Sequence, residues 1–358
     1  MKTNQKETGS NRVAICTDTH FGVRKGSQVF HDYFEKFYTE TFFPKIDEEG
    51  IDTIIHMGDC FDVRKGIDYW SLDWSKRVFF TPIKERGIRL IMIVGNHDIF
   101  YKQSLKLNSP RLNLVEYDNI EIIDFPQLVE VKGENIFMVP WICEDNAGEF
   151  VEKLELAKLA ESKGCMGHLE LAGFQMNKDF VCTHGTDVKH FSHFDYVFSG
   201  HFHKRSASGN IRYLGNTYQI YWNDEGETRG FNLFDVKTQE LEFVENPTPM
   251  FHKIYYDETK KTKINPSDYQ NTYVKIIVEG KSTPKKFGAL VDGLYDVGVH
   301  DLKVIENVDV SVDDDVEIES EDTLTTLTNY VKAMEEDSIN KENLVNIFKS
   351  LYVEAQEV

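Results

Sequence analysis

The sequence of 358 residues lacks the features of a membrane-spanning or secreted protein. It contains no run of about 18 apolar residues, which is the length that a helix needs to cross a bilayer. Its polar start, MKTNQKETGS, has no apolar stretch of the kind found in signal peptides. Its five cysteines are scattered without C-x-x-C spacing. These absences predict a cytoplasmic protein with reduced thiols and no membrane partner.

Positive charge is also scarce, since 40 Lys and Arg residues oppose 60 Asp and Glu residues and give a net charge of −20. Such a balance usually argues against a nucleic-acid partner. The excess is uneven, however: residues 301–358 carry a net charge of −12, which leaves −8 for the first 300 residues. A metal centre would add positive charge that a count of side chains misses. The composition therefore does not exclude DNA binding.

The order of apolar strands and helical stretches predicts a layered α/β fold. Strands are expected near residues 12–17 and 53–57 and in GIRLIMIVGNHD, with helical stretches near 29–48 and 70–85 between them. LVEVKGENIFMVPW predicts a hairpin that turns at KGEN, and a helix near 146–163 follows. Beyond the proline-rich ENPTPM, a small β-α-β unit is expected at about 251–308.

Five of the expected strands are followed by polar side chains of the types that commonly bind metals. They are Asp18 and His20 in AICTDTH, Asp59 in IIHMGD, Asn96, His97 and Asp98 in MIVGNHD, His168 in CMGH, and His201 and His203 in VFSGHFH. Ligand sites of open α/β sheets lie at the carboxyl ends of strands. Residues i and i+2 of a strand share a face, so Asp18 and His20 are expected to converge. Each motif alone has an ordinary alternative, such as a helix N-cap for Asp59 or a core imidazole for His168. Five in one chain predict a metal site.

The types of ligand indicate the chemistry. Carboxylates, an amide and imidazoles without thiolate suit Mn, Fe or Zn better than Mg or Ca. They are too many for one ion, so we expect two metals that share a bridging carboxylate. Such a pair stabilises the attacking and leaving oxygens of an in-line displacement at phosphorus. The sequence therefore predicts phosphoester hydrolysis.

The series D-x-H, GD, GNHD, GH and GHxH resembles the calcineurin-like metallophosphoesterases. Within them, GDCFDVRK, GNHD, PWICEDN, GHLELAGF and SGHFH resemble the nuclease subunits of SbcCD-type recombination and repair nucleases, a branch with bacteriophage members. The resemblance covers most of residues 12–250. It implies a layered β-sandwich flanked by helices, with a small α+β capping domain and C-terminal helices. It also implies a DNA exonuclease or endonuclease that uses two divalent metal ions. Mn²⁺ is the expected metal, and Mg²⁺ is the alternative.

The resemblance further implies a role for each of these residues. The first metal would be held by Asp18, His20, Asp59 and His203, and the second by Asp59, Asn96, His168 and His201. His97 would be the catalytic histidine at the scissile phosphate, oriented by Asp98. Asp62 stands where many cellular relatives carry a histidine, and it is expected beside the metals. His184 in VCTHGTD is a rival to His168 or a residue behind the ligands.

The tetrapeptide VRKG occurs twice, directly after two of the ligand motifs. Its basic residues are Arg24, Lys25, Arg64 and Lys65. They are candidates for gripping DNA phosphates at the rim of the cleft. Two ordinary basic surface loops are the alternative, and the sequence leaves both open.

With the resemblance, the chain divides into five predicted segments. These are a polar tail at 1–11, a nuclease domain at 12–248, a capping domain at 249–308 that contacts DNA, an acidic linker at 309–322 and a helical segment at 323–358. In the last segment, Leu344, Ile347, Phe348 and Leu351 form an apolar stripe. The helices either fold back onto the nuclease domain or dock on a partner.

The resemblance implies an SbcC-type coiled-coil ATPase as that partner, in a heterotetramer built on a homodimer of this chain. The DNA would be double-stranded ends and single strands, in the cytoplasm of a bacterial host cell for a bacteriophage member. Two rival functions are a phosphatase acting on phosphoproteins or small phosphoesters, and a catalytically silent subunit. GDCFDVRK departs from the GDxxDRG of protein phosphatases, and the complete ligand set argues against a silent subunit.

Overall fold

The computed structural model describes residues 10–175, 181–182, 185–260, 264–280 and 283–306. His184, nearly all of the tail predicted at 1–11, the linker at 309–322 and the helical segment at 323–358 lie outside the described residues. Residues up to Val304 belong to one compact unit, and a second unit begins at Ile305. Within the described ranges, no helix combines the length and the apolar character needed to cross a membrane.

The first sheet has six strands around a parallel centre. Its strands are β1 (Arg12–Cys16), β2 (Thr53–His56), β3 (Arg89–Ile93), β6 (Ile120–Ile123), β13 (Gly230–Asp235) and β14 (Leu241–Glu245), in the order β14-β13-β1-β2-β3-β6. The strands β1, β2, β3 and β6 are parallel, and the other two pair antiparallel. Cys16 pairs with His56, and His56 with Met92, so three carboxyl ends lie level at one edge of the sheet.

The second sheet also has six strands. They are β7 (Gln127–Val131), β8 (Glu134–Val139), β9 (Gly164–His168), β10 (Tyr196–Gly200), β11 (Ser206–Ser208) and β12 (Ile211–Tyr213), in the order β11-β12-β10-β9-β8-β7. The hairpin predicted at KGEN is confirmed as β7 and β8. Gly200 pairs with His168 across the parallel strands β9 and β10. The motifs that end these two strands are therefore neighbours.

The two sheets pack face to face. Alternate residues of β1 separate two apolar layers: Val13 and Ile15 meet Met166 and Phe198 between the sheets, whereas Ala14 lies in the cluster on the outer face. The outer helices of the first sheet are Gln28–Phe37 with Phe43–Glu48, and Tyr69–Ser75 with Thr81–Glu85. The helix Ala147–Leu159 covers the second sheet. This arrangement confirms the predicted layered α/β fold.

Each of the two long outer helices contains a π-helical turn that the sequence pattern did not predict. The turns span Tyr38–Phe42 and Lys76–Phe80, and each stands just before a proline, Pro44 or Pro82. A proline inside a helix lacks an N–H and crowds the preceding turn, so the backbone widens there. The remaining short elements are helices at Val23–Gly26, Ser109–Asn113, Val188–Phe191, Trp222–Asp224 and Pro266–Tyr269, and a hairpin of β4 (Ile99–Tyr101) and β5 (Ser104–Asn108).

A third sheet follows the proline-rich stretch. It contains β15 (Phe251–Asp257), β16 (Tyr273–Gly280) and β17 (Asp301–Glu306), with the helix Pro284–Asp296 before the last strand. Its own apolar cluster includes Ile254, Ile276 and Leu294. The small unit expected near 251–308 is thus present as secondary structure, while the division into five segments stays a prediction.

Candidate metal centre

The loop that carries Asp18 and His20 lies beyond the strand, not in it. The strand β1 ends at Cys16, and both residues have left-handed backbones with φ of 52° and 43°. The expectation that strand alternation makes them converge is therefore wrong. Instead, the N–H of Asp18 donates to the carbonyl of Gly58 at 3.0 Å, and the N–H of His20 to that of Asp59 at 3.1 Å. These two hydrogen bonds join the loop after β1 to the loop after β2.

Glycine is required where these loops approach other motifs. Gly58 has a φ of 102°, and a Cβ there would lie 2.4 Å from Nδ1 of His168. A Cβ on Gly95 would lie 2.2 Å from Oδ1 of Asp59. Only a residue without a side chain permits such contacts. The glycines of GD and GNHD therefore let three polar motifs meet.

The first group of candidate ligands consists of Asp18, His20 and His203. Their ligand atoms all lie within 4.8 Å of one another. Nε2 of His20 is 3.1 Å from Nε2 of His203. The same Nε2 atom of His203 is 4.0 Å from Oδ1 of Asp18. Nδ1 of His20 faces Oδ1 of Asp62 at 3.1 Å. A carboxylate that bonds one ring nitrogen of a histidine directs the second ring nitrogen toward a metal. Asp62 is in the position to do this for His20.

The second group consists of Asp59, Asn96, His168 and His201. Oδ1 of Asn96 lies 2.9 Å from Nε2 of His168 and 3.0 Å from Nδ1 of His201. Oδ2 of Asp59 lies 3.2 Å from the same Nε2 atom. Nδ1 of His168 bonds to the carbonyl of Met57 at 2.9 Å, so the neutral ring carries its lone pair on Nε2.

Metal binding requires the neutral ring, and in that form the Nε2 lone pair of His168 faces the side-chain oxygen of Asn96. Hydrogen bonding alone would favour turning the Asn96 amide over, so that its nitrogen faced both rings and Asp59. A cation favours the orientation with the oxygen inward. Ligand atoms about 3 Å apart match the spacing around an ion bound at roughly 2.0–2.2 Å. The residues present thus fit a divalent metal ion.

Asp59 lies between the two groups. Its Oδ2 is 3.2 Å from Nε2 of His168 in the second group and 4.0 Å from Nε2 of His20 in the first. Its Oδ1 accepts from the N–H of His97 at 2.8 Å. One carboxylate is thus adjacent to both groups, which is the arrangement that a bridging ligand requires.

Charge is balanced inside this buried cluster. Burial would lower the pKa of His20, but the carboxylates of Asp62, Asp59 and Asp18 outweigh it and raise the pKa to about 9. Burial would also lower the pKa of His168, but the carboxylates of Asp59 and Asp18 outweigh it and raise that pKa to about 9. Burial would raise the pKa of Asp59, but the neighbouring imidazoles hold it well below its usual range. Without a metal, protons on these two imidazoles therefore offset the charge of the carboxylates, and a bound cation would take over that role.

The expectation that Asp98 orients the His97 ring is wrong. Nδ1 of His97 bonds to the backbone carbonyl of Asp62 at 2.6 Å. The Asp98 carboxylate instead accepts from the N–H groups of Cys60, Phe61 and Gly95 at 3.0, 3.2 and 2.9 Å. Burial, then the charge of Asp59, raises the pKa of Asp98 to about 6. Asp98 therefore joins the loop of Asp59 to the GNHD turn.

Comparison with known proteins agrees with this geometry. Residues 11–205 match the calcineurin-like phosphoesterase family. The chain belongs to this family. It is therefore an enzyme, a metal-dependent phosphodiester hydrolase, and its layered α/β architecture is the fold of that family.

Three relatives of this phosphoesterase are informative. Exonuclease subunit 1 of Enterobacteria phage T4 is 35% identical over 315 residues, which cover 87% of this chain and 89% of the relative. An SbcCD nuclease subunit of Staphylococcus epidermidis is 24% identical, and the match covers 64% of this chain and 67% of the relative. The DNA double-strand break repair protein Mre11 of Sulfurisphaera tokodaii is 26% identical, with coverage of 76% and 75%.

The four basic residues of the VRKG repeats differ in their surroundings. Nη2 of Arg64 lies 3.3 Å from the outward atom of the Asn96 amide, at the edge of the second group; with the Asn96 oxygen inward this atom is Nδ2, and the two form no hydrogen bond. Arg24 instead packs over the rings of Phe30 and Tyr221, at 5.5 and 5.2 Å from their centroids. The expectation that Arg24 grips phosphate is therefore not supported, because its guanidinium is engaged in packing. Lys25 and Lys65 are exposed.

Two residues beside the phosphoesterase site were missed by sequence reasoning. Oε1 of Glu170 lies 3.6 Å from Nε2 of His201, a buried atom without a hydrogen bond. The ring of Tyr221 lies parallel to the His203 imidazole, with the centroids 6.4 Å apart. Glu170 stands two residues after His168 in GHLE, and that proximity was the available signal. Tyr221 has no local signal, because it comes from a distant loop.

Proposed function

We propose that this phosphoesterase is a two-metal, Mn²⁺-dependent DNA nuclease. The observation that carries the proposal is Asp59, one carboxylate adjacent to two groups of candidate ligands. The first ion would be held by Asp18, His20, Asp59 and His203, and the second by Asp59, Asn96, His168 and His201. Mixed nitrogen and oxygen ligands favour Mn²⁺ over Mg²⁺. The names of the relatives, an exonuclease subunit, a nuclease subunit and a double-strand break repair protein, favour DNA as substrate.

When bound, the two ions would supply Lewis acidity and a water that ionises at neutral pH. The chain's own residues do the rest. His97 keeps one proton on Nδ1, bonded to the carbonyl of Asp62, so the proton that it gives to the leaving oxygen is held on Nε2. Asp62 also bonds Nδ1 of His20 and so holds two rings of the site in place.

Arg64 is the best candidate for a contact with the scissile phosphodiester. Its Nη2 lies beside the Asn96 amide, and a guanidinium binds phosphate oxygens through parallel N–H groups. Lys25 and Lys65, both exposed, would contact phosphates farther along the strand. These contacts go to the backbone, so we expect binding with little preference for base sequence.

We further propose that the chain works as a homodimer with an SbcC-type ATPase, through the helical segment predicted at 323–358. Two of the relatives are named as subunits, which supports an assembly. All five cysteines are buried thiols, which suits the reducing cytoplasm. Removal of residues 320–358 should leave basal nuclease activity and abolish stimulation by ATP in the complex. Undiminished co-purification of the shortened chain with the ATPase would contradict this docking role.

The experiment that tests the nuclease is a comparison of substrates under defined metals. The full chain is incubated with end-labelled duplex DNA, single-stranded DNA and a phosphomonoester, each with Mn²⁺, Mg²⁺ or a chelator. We expect degradation of DNA with Mn²⁺, weaker degradation with Mg²⁺ and none with chelator. Cleavage of the monoester alone would instead identify a phosphatase.

A further inference from the structure

His201 and His203, both proposed ligands, lie on one short loop after β10 that is fixed at both ends. At its start, the N–H of His201 donates to the two carboxylate oxygens of Asp18, at 3.1 and 3.2 Å. At its end, the carbonyl of His203 accepts from Nη1 of Arg229 and, at 3.2 Å, from the N–H of Asn216. The position of the His203 imidazole depends on the position of its own backbone. The hydrogen bond from Arg229 to the His203 carbonyl therefore helps to fix where the ring lies.

Arg229 is itself held in a buried ion pair. Its Nη2 donates to Oδ1 of Asp224 at 2.6 Å, and the two side chains are only 4% and 5% exposed. A buried ion pair is costly unless its remaining groups are bonded as well. The guanidinium meets this condition at its two terminal amines, which bond the carbonyl of His203 and the Asp224 carboxylate, whereas its buried Nε has no hydrogen-bond partner. The single ammonium of a lysine does not offer that fork.

Asp224 also shapes the wall beside His203. Its Oδ2 accepts from the N–H groups of Ile220 and Tyr221, at 2.7 and 3.0 Å. This turn presents the Tyr221 ring parallel to the His203 imidazole, with 9° between the planes. One carboxylate therefore holds both the arginine that bonds the His203 backbone and the ring that flanks its side chain.

The network extends to the start of the third sheet. Gln219, which is buried, donates from Nε2 to the carbonyl of Asp224 at 3.0 Å. Its Oε1 accepts from the N–H groups of Met250 and Phe251, at 2.8 and 2.9 Å. Phe251 is the first residue of β15. The turn that holds Arg229 is therefore tied on its other side to that strand.

We propose that Arg229 and Asp224 are positioning residues for the metal ligand His203. They contact no reacting atom and act through the backbone carbonyl of His203 and through Tyr221. The inference rests on the metal centre proposed above. It predicts that substitution of Arg229 or Asp224 lowers the affinity for one ion, the ion held with Asp18 and His20. The affinity for the other ion should stay unchanged.

The test is a titration of the metal-free full chain with Mn²⁺, followed by calorimetry and by the spin-resonance signal of bound Mn²⁺. The variant Arg229→Lys keeps a cation for Asp224 but loses the fork. We expect one ion to bind roughly 10- to 100-fold more weakly, the usual effect of losing support behind a ligand. Asp224→Asn is a second variant, with a smaller loss at the same ion, in case the first does not fold.

Arg205→Lys is the matched control. Arg205 stands two residues after His203, but its Nη1 donates to the carbonyl of Leu214 at 3.0 Å instead. It should bind both ions like the parent chain, and an equal loss there would overturn the proposal. So would two ions bound with parental affinity in both Arg229→Lys and Asp224→Asn, while His203→Ala loses one. If His203→Ala itself keeps both ions, the metal centre is wrong and the inference falls with it.

Discussion

The carboxyl ends of the two large sheets bury several ionisable side chains, whereas the third sheet and its helix bury mainly apolar ones, with Lys275 as a buried cation. At the carboxyl ends of β1, β2, β3 and β9, the buried residues include Asp18, Asp59, Asp98 and His168. In the third sheet, the buried cluster is apolar, and Leu294 is fully buried within it. Burying ionisable groups together costs folding free energy, whereas burying leucine supplies it. The first region is therefore built for binding and chemistry, and the second for stability.

This contrast has an experimental consequence. Substitutions at the sheet ends should change metal binding or turnover more than the free energy of unfolding. Substitutions in the apolar cluster of the third sheet should do the reverse. The four variants below test the contrast, in order of decreasing effect on activity.

The largest effect is expected for Asp59→Asn. Asparagine keeps the size of the side chain but removes the charge that lies next to both groups of ligands. We expect hydrolysis of DNA with Mn²⁺ to be abolished and both ions to bind more weakly. Gel-based degradation of labelled duplex DNA measures the first effect, and turnover near that of the parent chain would contradict the bridging role.

For His97→Ala we expect a different pattern at the same site. Turnover should fall by roughly 10²–10⁴-fold, the range for a lost general acid. Both ions should remain bound, because neither proposed metal group includes this ring. Single-turnover kinetics with saturating DNA and a parallel metal analysis separate the two effects. Loss of metal would make His97 a ligand and overturn the assignment.

For Arg64→Ala the expected effect falls on DNA binding. Removal of one phosphate contact should lower the slope of log affinity against log salt by about 1, with similar loss for all sequences. Fluorescence anisotropy with labelled DNA, in Ca²⁺ to prevent cleavage, gives that slope. Arg24→Ala is the matched control, because Arg24 packs over Phe30 and Tyr221. An equal change in slope for both variants would remove the distinction between the two VRKG loops.

The smallest effect on activity is expected for Leu294→Ala in the helix Pro284–Asp296, within the apolar cluster of the third sheet. The side chain is fully buried, so truncation should reduce the free energy of unfolding by about 2–5 kcal/mol. Metal stoichiometry and turnover at 25 °C should stay unchanged. Tyr295→Ala, at a neighbouring position that is 60% exposed, is the control and should shift stability by about 0.5 kcal/mol or less. Loss of metal in Leu294→Ala would break the contrast between the two regions.

The sequence carried enough information to predict which residues meet at the site. An apolar run followed by glycine and a polar residue marks a strand end, and parallel strands in register bring such ends together. Gly200 opposite His168 is one case, and Cys16 opposite His56 is another. The pattern works because the ligands sit within a few residues of a strand, where position along the chain fixes position in space.

The contacts behind these residues could not be predicted in the same way. The left-handed backbones of Asp18 and His20 depend on bonds to another loop. Asp98 looked like a partner for its neighbour His97, yet its carboxylate accepts three backbone N–H groups, two of them from the distant residues Cys60 and Phe61. Arg229 bonds a carbonyl 26 positions away. Such contacts are set by tertiary packing and leave no local signal.

The central claim is that one carboxylate serves two metal ions, and the number of ions bound tests it most directly. Metal-free full chain is titrated with Mn²⁺, and the bound ions are counted and examined by electron spin resonance. The account predicts two ions per chain with a spin-coupled signal, and a loss of that coupling in Asp59→Asn. A single ion in the parent chain, or two uncoupled ions whose signals do not change in Asp59→Asn, would contradict it.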